Sequence, residues 1–237
     1  MDELTRALEE RREEFDAHYA LAIALEERII AGEVVSIGET RLSVRHLLTL
    51  KSGLIVHIYN ILEATMSRTM AMMGSAVGAA PSRQWSDNAL REWLREHAVA
   101  RVAGDEDARL NTMHAVTRKL FDENPLGQQH FRKPSGSWTD KLVAKFAKRL
   151  GVQFKLPQEM RLRIAPRPEL GELSPIEFVA ERRNAVAHGR RSFEDGARDL
   201  VLSQIRDLAD TTLEYLALAI AAFQDHVTNN RHLAFAP

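Results

Sequence analysis

Residues 43–77 are apolar on most faces of the helix that their spacing specifies, with Leu50, Leu54, Ile55, Ile58, Ile61 and Met70 spread over about half of its circumference. Such a helix must be surrounded by packing partners, and the ordinary solution is the centre of a bundle. Gly53 inside it suggests a close helix approach or a bend; Gly74, Gly78 and Pro81 suggest its end. β-branched alternation is nearly absent elsewhere, so helix is the default reading. Further helices are expected over residues 2–31, 86–103, 105–122, 139–150, 175–188 and 197–227. A loop or short extended piece is expected at 32–40, a loop at 124–137, and an irregular stretch at 152–170, where Pro157, Pro166 and Pro168 interrupt. The expected fold class is all-α, a helical bundle with long core helices. A chain of 237 residues suits one domain over 1–237, with 85–137 as a candidate helical insertion.

Composition removes several kinds of chemistry. The chain has no cysteine, which excludes disulfides, thiolate zinc sites and cysteine nucleophiles, and suits a reducing cytoplasm. The longest apolar run near the end, Tyr215 to Phe223, is short of the roughly 20 residues that a spanning helix needs, so no membrane association is expected. Asp2 and Glu3 open the chain without a basic-then-apolar leader, so no signal peptide is expected. The remaining histidines show no metal-ligand spacing, and neither a metal nor a cofactor is expected. The net charge of −1 conceals an acidic first forty residues and a basic segment at 128–163, where nine Lys/Arg face only Asp140 and Glu159. That excess suits either an anionic partner or a solvated helix face.

The sharpest local signal is Ser174-Pro175-Ile176-Glu177: a Ser N-cap, Pro at the first helical position and Glu at the third form a capping box. The helix should end at His188, with Gly189 in the left-handed position. On a wheel with Ile176 at the origin, Arg183 falls at about 340°, amid Val179, Ala180, Val186 and Ala187, while Asn184 and His188 lie on the flank. An arginine on an apolar face cannot shed its charge and needs a carboxylate, a phosphate or a route to water. His188, at the helix C-terminus, occupies a position suited to holding and donating a proton. Geometry alone leaves open a structural reading, in which Arg183 snorkels and His188 caps the helix.

The segment Arg183-Asn184-Ala185-Val186-Ala187-His188-Gly189, late in a helical chain and followed by one more long helix, resembles the HEPN superfamily (higher eukaryotes and prokaryotes nucleotide-binding). Arg183, Asn184 and His188 match its arginine–polar–histidine signature residue for residue. Tyr59-Asn60-Ile61-Leu62-Glu63 resembles a segment on an earlier core helix of bacterial free-standing members. The resemblance implies a metal-independent endoribonuclease, often the toxin of a toxin–antitoxin or anti-phage system. It also implies a homodimer in which two Arg/His helices share one cleft, and an antitoxin or defence-system protein as a further partner. The implied chemistry is attack by a ribose 2′-OH on the adjacent phosphate, giving a 2′,3′-cyclic phosphate and a 5′-OH. His188 would do acid/base work, Arg183 would clamp the phosphate, and Asn184 would assist. Asn60 and Glu63, three apart on the central helix, would support Arg183; an internal packing network is the competing reading. Arg182, Arg190, Lys145 and Lys148 are candidate RNA contacts. The alternative function is a catalytically inactive HEPN-like module that binds nucleotide, RNA or protein. A third is an unrelated helical interaction protein.

Overall fold

A computed structural model describes residues 3–234. The elements, in chain order, are α1 (Glu3–Ile30), β1 (Ser36–Ile37), β2 (Thr40–Arg41), α2 (Val44–Gly78), α3 (Asp87–Leu94), α4 (Glu106–Leu120), α5 (Asp140–Leu150), α6 (Gln158–Arg163), α7 (Pro175–Ala187) and α8 (Leu202–Thr228). The class is all-α; among the described residues the only sheet is the small antiparallel hairpin β1–β2. That hairpin falls in and just beyond the segment read from sequence as a loop or short extended piece.

The residues group into two compact units. The first comprises residues up to 65, 137–140 and 156–217; the second comprises 66–136, 141–155 and those from 218 onward. In the first unit the core is built from Phe15, Ile58, Tyr59, Ile176, Val179 and Leu208, each almost fully buried. α1 is tied to α8 by Tyr19, whose hydroxyl donates to the Leu202 carbonyl at 3.1 Å. Arg206 adds ion pairs to Asp16 and Asp210. Gly53 does not mark a close approach, since a Cβ there would meet nothing within 4 Å. Two segments depart from the sequence reading. Residues 158–163 form a helix because Pro157 stands at its N-cap, where a missing N–H costs nothing. α8 starts at Leu202, not near Ala197, because residues 196–199 are a turn drawn onto Arg182.

In the second unit, Trp85 and Trp93 meet edge to face at 5.8 Å, and the Trp93 indole N–H donates to Gln129 Oε1 at 2.7 Å. Gly74 and Gly78 let residues 127–129 cross α2 at close range. A Cβ on either would stand 1.9 or 1.6 Å from the carbonyl oxygen of Gln129 or Gly127. Glu92 is buried between Arg95, at 3.1 Å, and Arg149. The candidate insertion, 85–137, falls within this unit.

Candidate active site

α7 is pinned at both ends, which fixes the residues it carries. Ser174 Oγ accepts from the Glu177 amide at 3.1 Å, and Glu177 returns the bond to the Ser174 amide at 3.1 Å. Ser174 Oγ also donates to Asp140 at 2.6 Å. At the other end Gly189 adopts φ 69°, and the Arg191 amide donates back to the Ala185 carbonyl at 3.1 Å. The last turns of α7 are therefore held against fraying.

Arg183 lies over the ring of Tyr59, with 4.5 Å from its guanidinium carbon to the ring centroid. Tyr59 is itself buried and accepts the Trp138 amide at 3.2 Å, so the aromatic plate beneath the cation is fixed. The Nη1 of Arg183 donates to Asn184 Oδ1 at 3.2 Å, and the Asn184 amide nitrogen donates to Ser137 Oγ at 2.7 Å. Arg183 Nη2 reaches Glu63 at 3.4 Å, the long end of a hydrogen bond, and its side chain keeps 29% of its exposure. His188 is the C-cap residue of α7 and is exposed. It lies one helical turn from Asn184, on the same side of the helix. The result is a guanidinium held by a cation–π contact and an amide, partly open to water, with an exposed imidazole on the same helix end.

The arginine sealed in the interior is Arg182. Its side chain keeps 9% of its exposure; it pairs with both oxygens of Asp199, donates to the Gly196 carbonyl at 3.3 Å, and lies 4.6 Å over Phe178. This corrects the expectation that Arg182 meets RNA: its side chain is largely buried and both terminal nitrogens, Nη1 and Nη2, already donate within the chain. It also corrects the wheel. α7 buries Phe178, Val179, Ala180 and Ala185 on different sides, so no single apolar stripe exists for Arg183 to centre.

Of the expected supporting pair, Glu63 is at Arg183, whereas Asn60 is exposed on α2 and not brought to it. Arg190 is exposed, 3.5 Å from Glu181. Lys145 and Lys148 lie exposed on α5, in the second unit.

A family model, described as HEPN_MAE_28990-like HEPN, matches residues 1–232. The chain belongs to this HEPN family. No curated protein and no solved structure gave a match. Membership removes the reading of an unrelated helical interaction protein. Two residues of this candidate site had no role assigned from sequence: Tyr59, the plate under Arg183, and Ser137, the anchor of Asn184. Tyr59 lay inside a quoted motif and could have been found as the aromatic one turn before Glu63; Ser137 sits in a loop with no local signal. A cavity of about 760 Å³ opens elsewhere in the first unit, lined by Leu21, Leu25, Ile37, Leu42 and Leu50. It includes none of Arg183, Asn184 and His188. No helix among the described residues is long and apolar enough to cross a membrane.

Proposed function

We propose that this HEPN chain is a cytoplasmic endoribonuclease that needs no metal for chemistry and works as a homodimer. The observation that carries the reading is Arg183: a permanent cation, oriented by Tyr59 and Asn184, matched by only one long carboxylate contact and left partly open to solvent. A cation meant only for packing is enclosed as Arg182 is. The two non-bridging oxygens of a phosphate diester can accept charge-assisted hydrogen bonds from the planar Arg183 fork, and would compete with Glu63 for it.

In the reaction the ribose 2′-oxygen attacks the adjacent phosphorus. The O2′–P bond forms, the P–O5′ bond breaks, and the products are a 2′,3′-cyclic phosphate and a 5′-OH; water is not consumed. One imidazole takes the 2′-OH proton and another gives a proton to the leaving O5′. Each chain supplies one His188, so the pair is completed by the partner's His188. Arg183 stabilises the charge that grows on the phosphorane oxygens. Asn184 holds the Arg183 fork in register, while Arg190, Lys145 and Lys148 add sequence-independent attraction for the backbone. A toxin or anti-phage role, with a neutralising partner protein, is the biological setting this activity suits.

The rival, an inactive module that binds nucleotide, RNA or protein, draws on one observation: Glu63 already reaches Arg183. The two readings separate in one assay. Purified protein incubated with mixed RNA in EDTA should yield 2′,3′-cyclic phosphate ends, and His188→Ala should abolish them while the variant stays folded. RNA binding without cleavage by wild type would favour the module.

A further inference from the structure

We propose that His18 of α1 and His57 of α2 form a two-histidine site for a borderline divalent ion of the zinc, nickel or copper type, completed by water. The site stands apart from the proposed chemistry and does not depend on it.

The two Nδ1 atoms face each other at 3.3 Å, with ring centroids 5.2 Å apart and planes inclined by 57°. A zinc ion bonded to two imidazole nitrogens at about 2.0–2.1 Å in a tetrahedral arrangement sets those nitrogens about 3.3–3.4 Å apart. The pair thus already has the nitrogen spacing that a shared ion imposes, which is also the spacing of a hydrogen bond between the two rings. The far side of His57 supplies an independent indication. Its Nε2 faces the Glu14 carboxylate at 3.8 Å, and Glu14 is held by Arg11 at 2.5 Å. A carboxylate on the side of the non-ligating nitrogen is a usual companion of a metal-bound histidine; at 3.8 Å Glu14 is beyond hydrogen-bond reach but close enough to favour a proton on Nε2 electrostatically. Phe15, fully buried, packs against the His57 ring at 6.0 Å and restricts its rotation.

Without metal, one Nδ1 carries a hydrogen between the two rings; on binding, the ion replaces that proton, which leaves to solvent or moves to the outer nitrogen of His18. His18 is exposed, so the remaining coordination positions face water. No group of three or more His, Cys, Asp or Glu that could hold a metal ion occurs among the described residues, so the protein offers two ligands here and water supplies the rest. Imidazole ligation selects against magnesium and calcium. Its consequence is mechanical: two residues 39 apart in sequence, on different helices, become cross-linked in the folded state only.

The test is thermal unfolding of the full chain with and without zinc chloride, alongside calorimetric titration with zinc and with nickel. At a hundredfold excess over the dissociation constant the midpoint should rise by about 5–10 °C, with one ion per chain, reversibly in EDTA. His18→Gln, on an exposed position, should keep the metal-free midpoint and lose the rise. His57→Gln should lose it as well, and His130→Gln, at another exposed histidine, should retain it. The proposal fails if zinc produces no rise, if His18→Gln shows the wild-type rise, or if magnesium is equally effective.

Discussion

Adjacent arginines on α7 should respond oppositely to truncation. Arg182→Ala removes charge-assisted hydrogen bonds to Asp199, a bond to the Gly196 carbonyl and a cation–π contact with Phe178. Hydrogen bonds to charged groups contribute about 1.5–3 kcal/mol, and the cation–π contact adds roughly 0.5–1 kcal/mol. The Asp199 side chain is 53% exposed, so it returns to water instead of remaining as a stranded charge, which keeps the total near 3 kcal/mol. Arg183→Ala gives up one cation–π contact and a long, half-exposed ion pair of the kind that contributes 0–1 kcal/mol, for a loss of about 1 kcal/mol. In a chain of this size each kcal/mol moves the unfolding midpoint by about 2–4 °C. Arg182→Ala should therefore melt about 6–12 °C below wild type and Arg183→Ala about 2–4 °C below, read by circular dichroism at 222 nm. At a temperature where both are folded, RNA cleavage should survive in Arg182→Ala and fall at least about a hundredfold in Arg183→Ala. If Arg183→Ala melts as low as Arg182→Ala and cleaves as well, the assignment of the free and the enclosed cation is reversed.

Acid should weaken the second unit through His226, which is buried with neither ring nitrogen hydrogen-bonded. Burial, then the neighbouring His232 and Arg231, lower its pKa to about 4. The unfolded chain takes up this proton near pH 6.5 and the folded chain does not, so stability is full above that pH. It declines as pH falls towards 4, by about 3 kcal/mol at 1.36 kcal/mol per unit. Urea titrations of His226→Leu should lack that decline; an unchanged pH dependence contradicts the account. Glu92→Ala strands Arg149 beside a buried void and should cost about 3–5 kcal/mol in urea unfolding, against under 1 kcal/mol for the exposed Glu123→Ala. Replacing Lys145 and Lys148 together by alanine should weaken RNA binding and reduce the salt slope of log K by about 1–2; an unaltered slope removes them from the RNA path.

What could be read from the sequence was what is decided within a few residues. The Ser174–Glu177 box, Pro175 and Gly189 set the limits of α7 through local hydrogen bonds, and the apolar surface of residues 43–77 already required a central helix. The candidate signature was equally local, since Arg183, Asn184 and His188 share two turns. Which arginine is enclosed was not local. It depends on Asp199, seventeen residues away, in a turn that helix propensity alone assigned to α8. Glycine was ambiguous for the same reason. Gly74 and Gly78 serve a crossing segment some fifty residues later, and Gly53 serves none. Ser137 and His18 were passed over because each acquires meaning only beside a partner on a distant element.

The central claim is that Arg183 and His188 act on a phosphodiester within a dimer. It is tested most directly by letting wild-type chains exchange with a growing excess of His188→Ala chains on mixed RNA in EDTA and mapping the ends formed. The His188→Ala homodimer should be silent or nearly so. Mixed dimers hold one His188 where the reaction needs two, so 2′,3′-cyclic phosphate ends should fall with the square of the wild-type fraction, whereas a fall in simple proportion to it would mean that one His188 suffices. Wild-type protein that leaves RNA intact under the same conditions, or a His188→Ala homodimer that cuts as fast as wild type, contradicts the account.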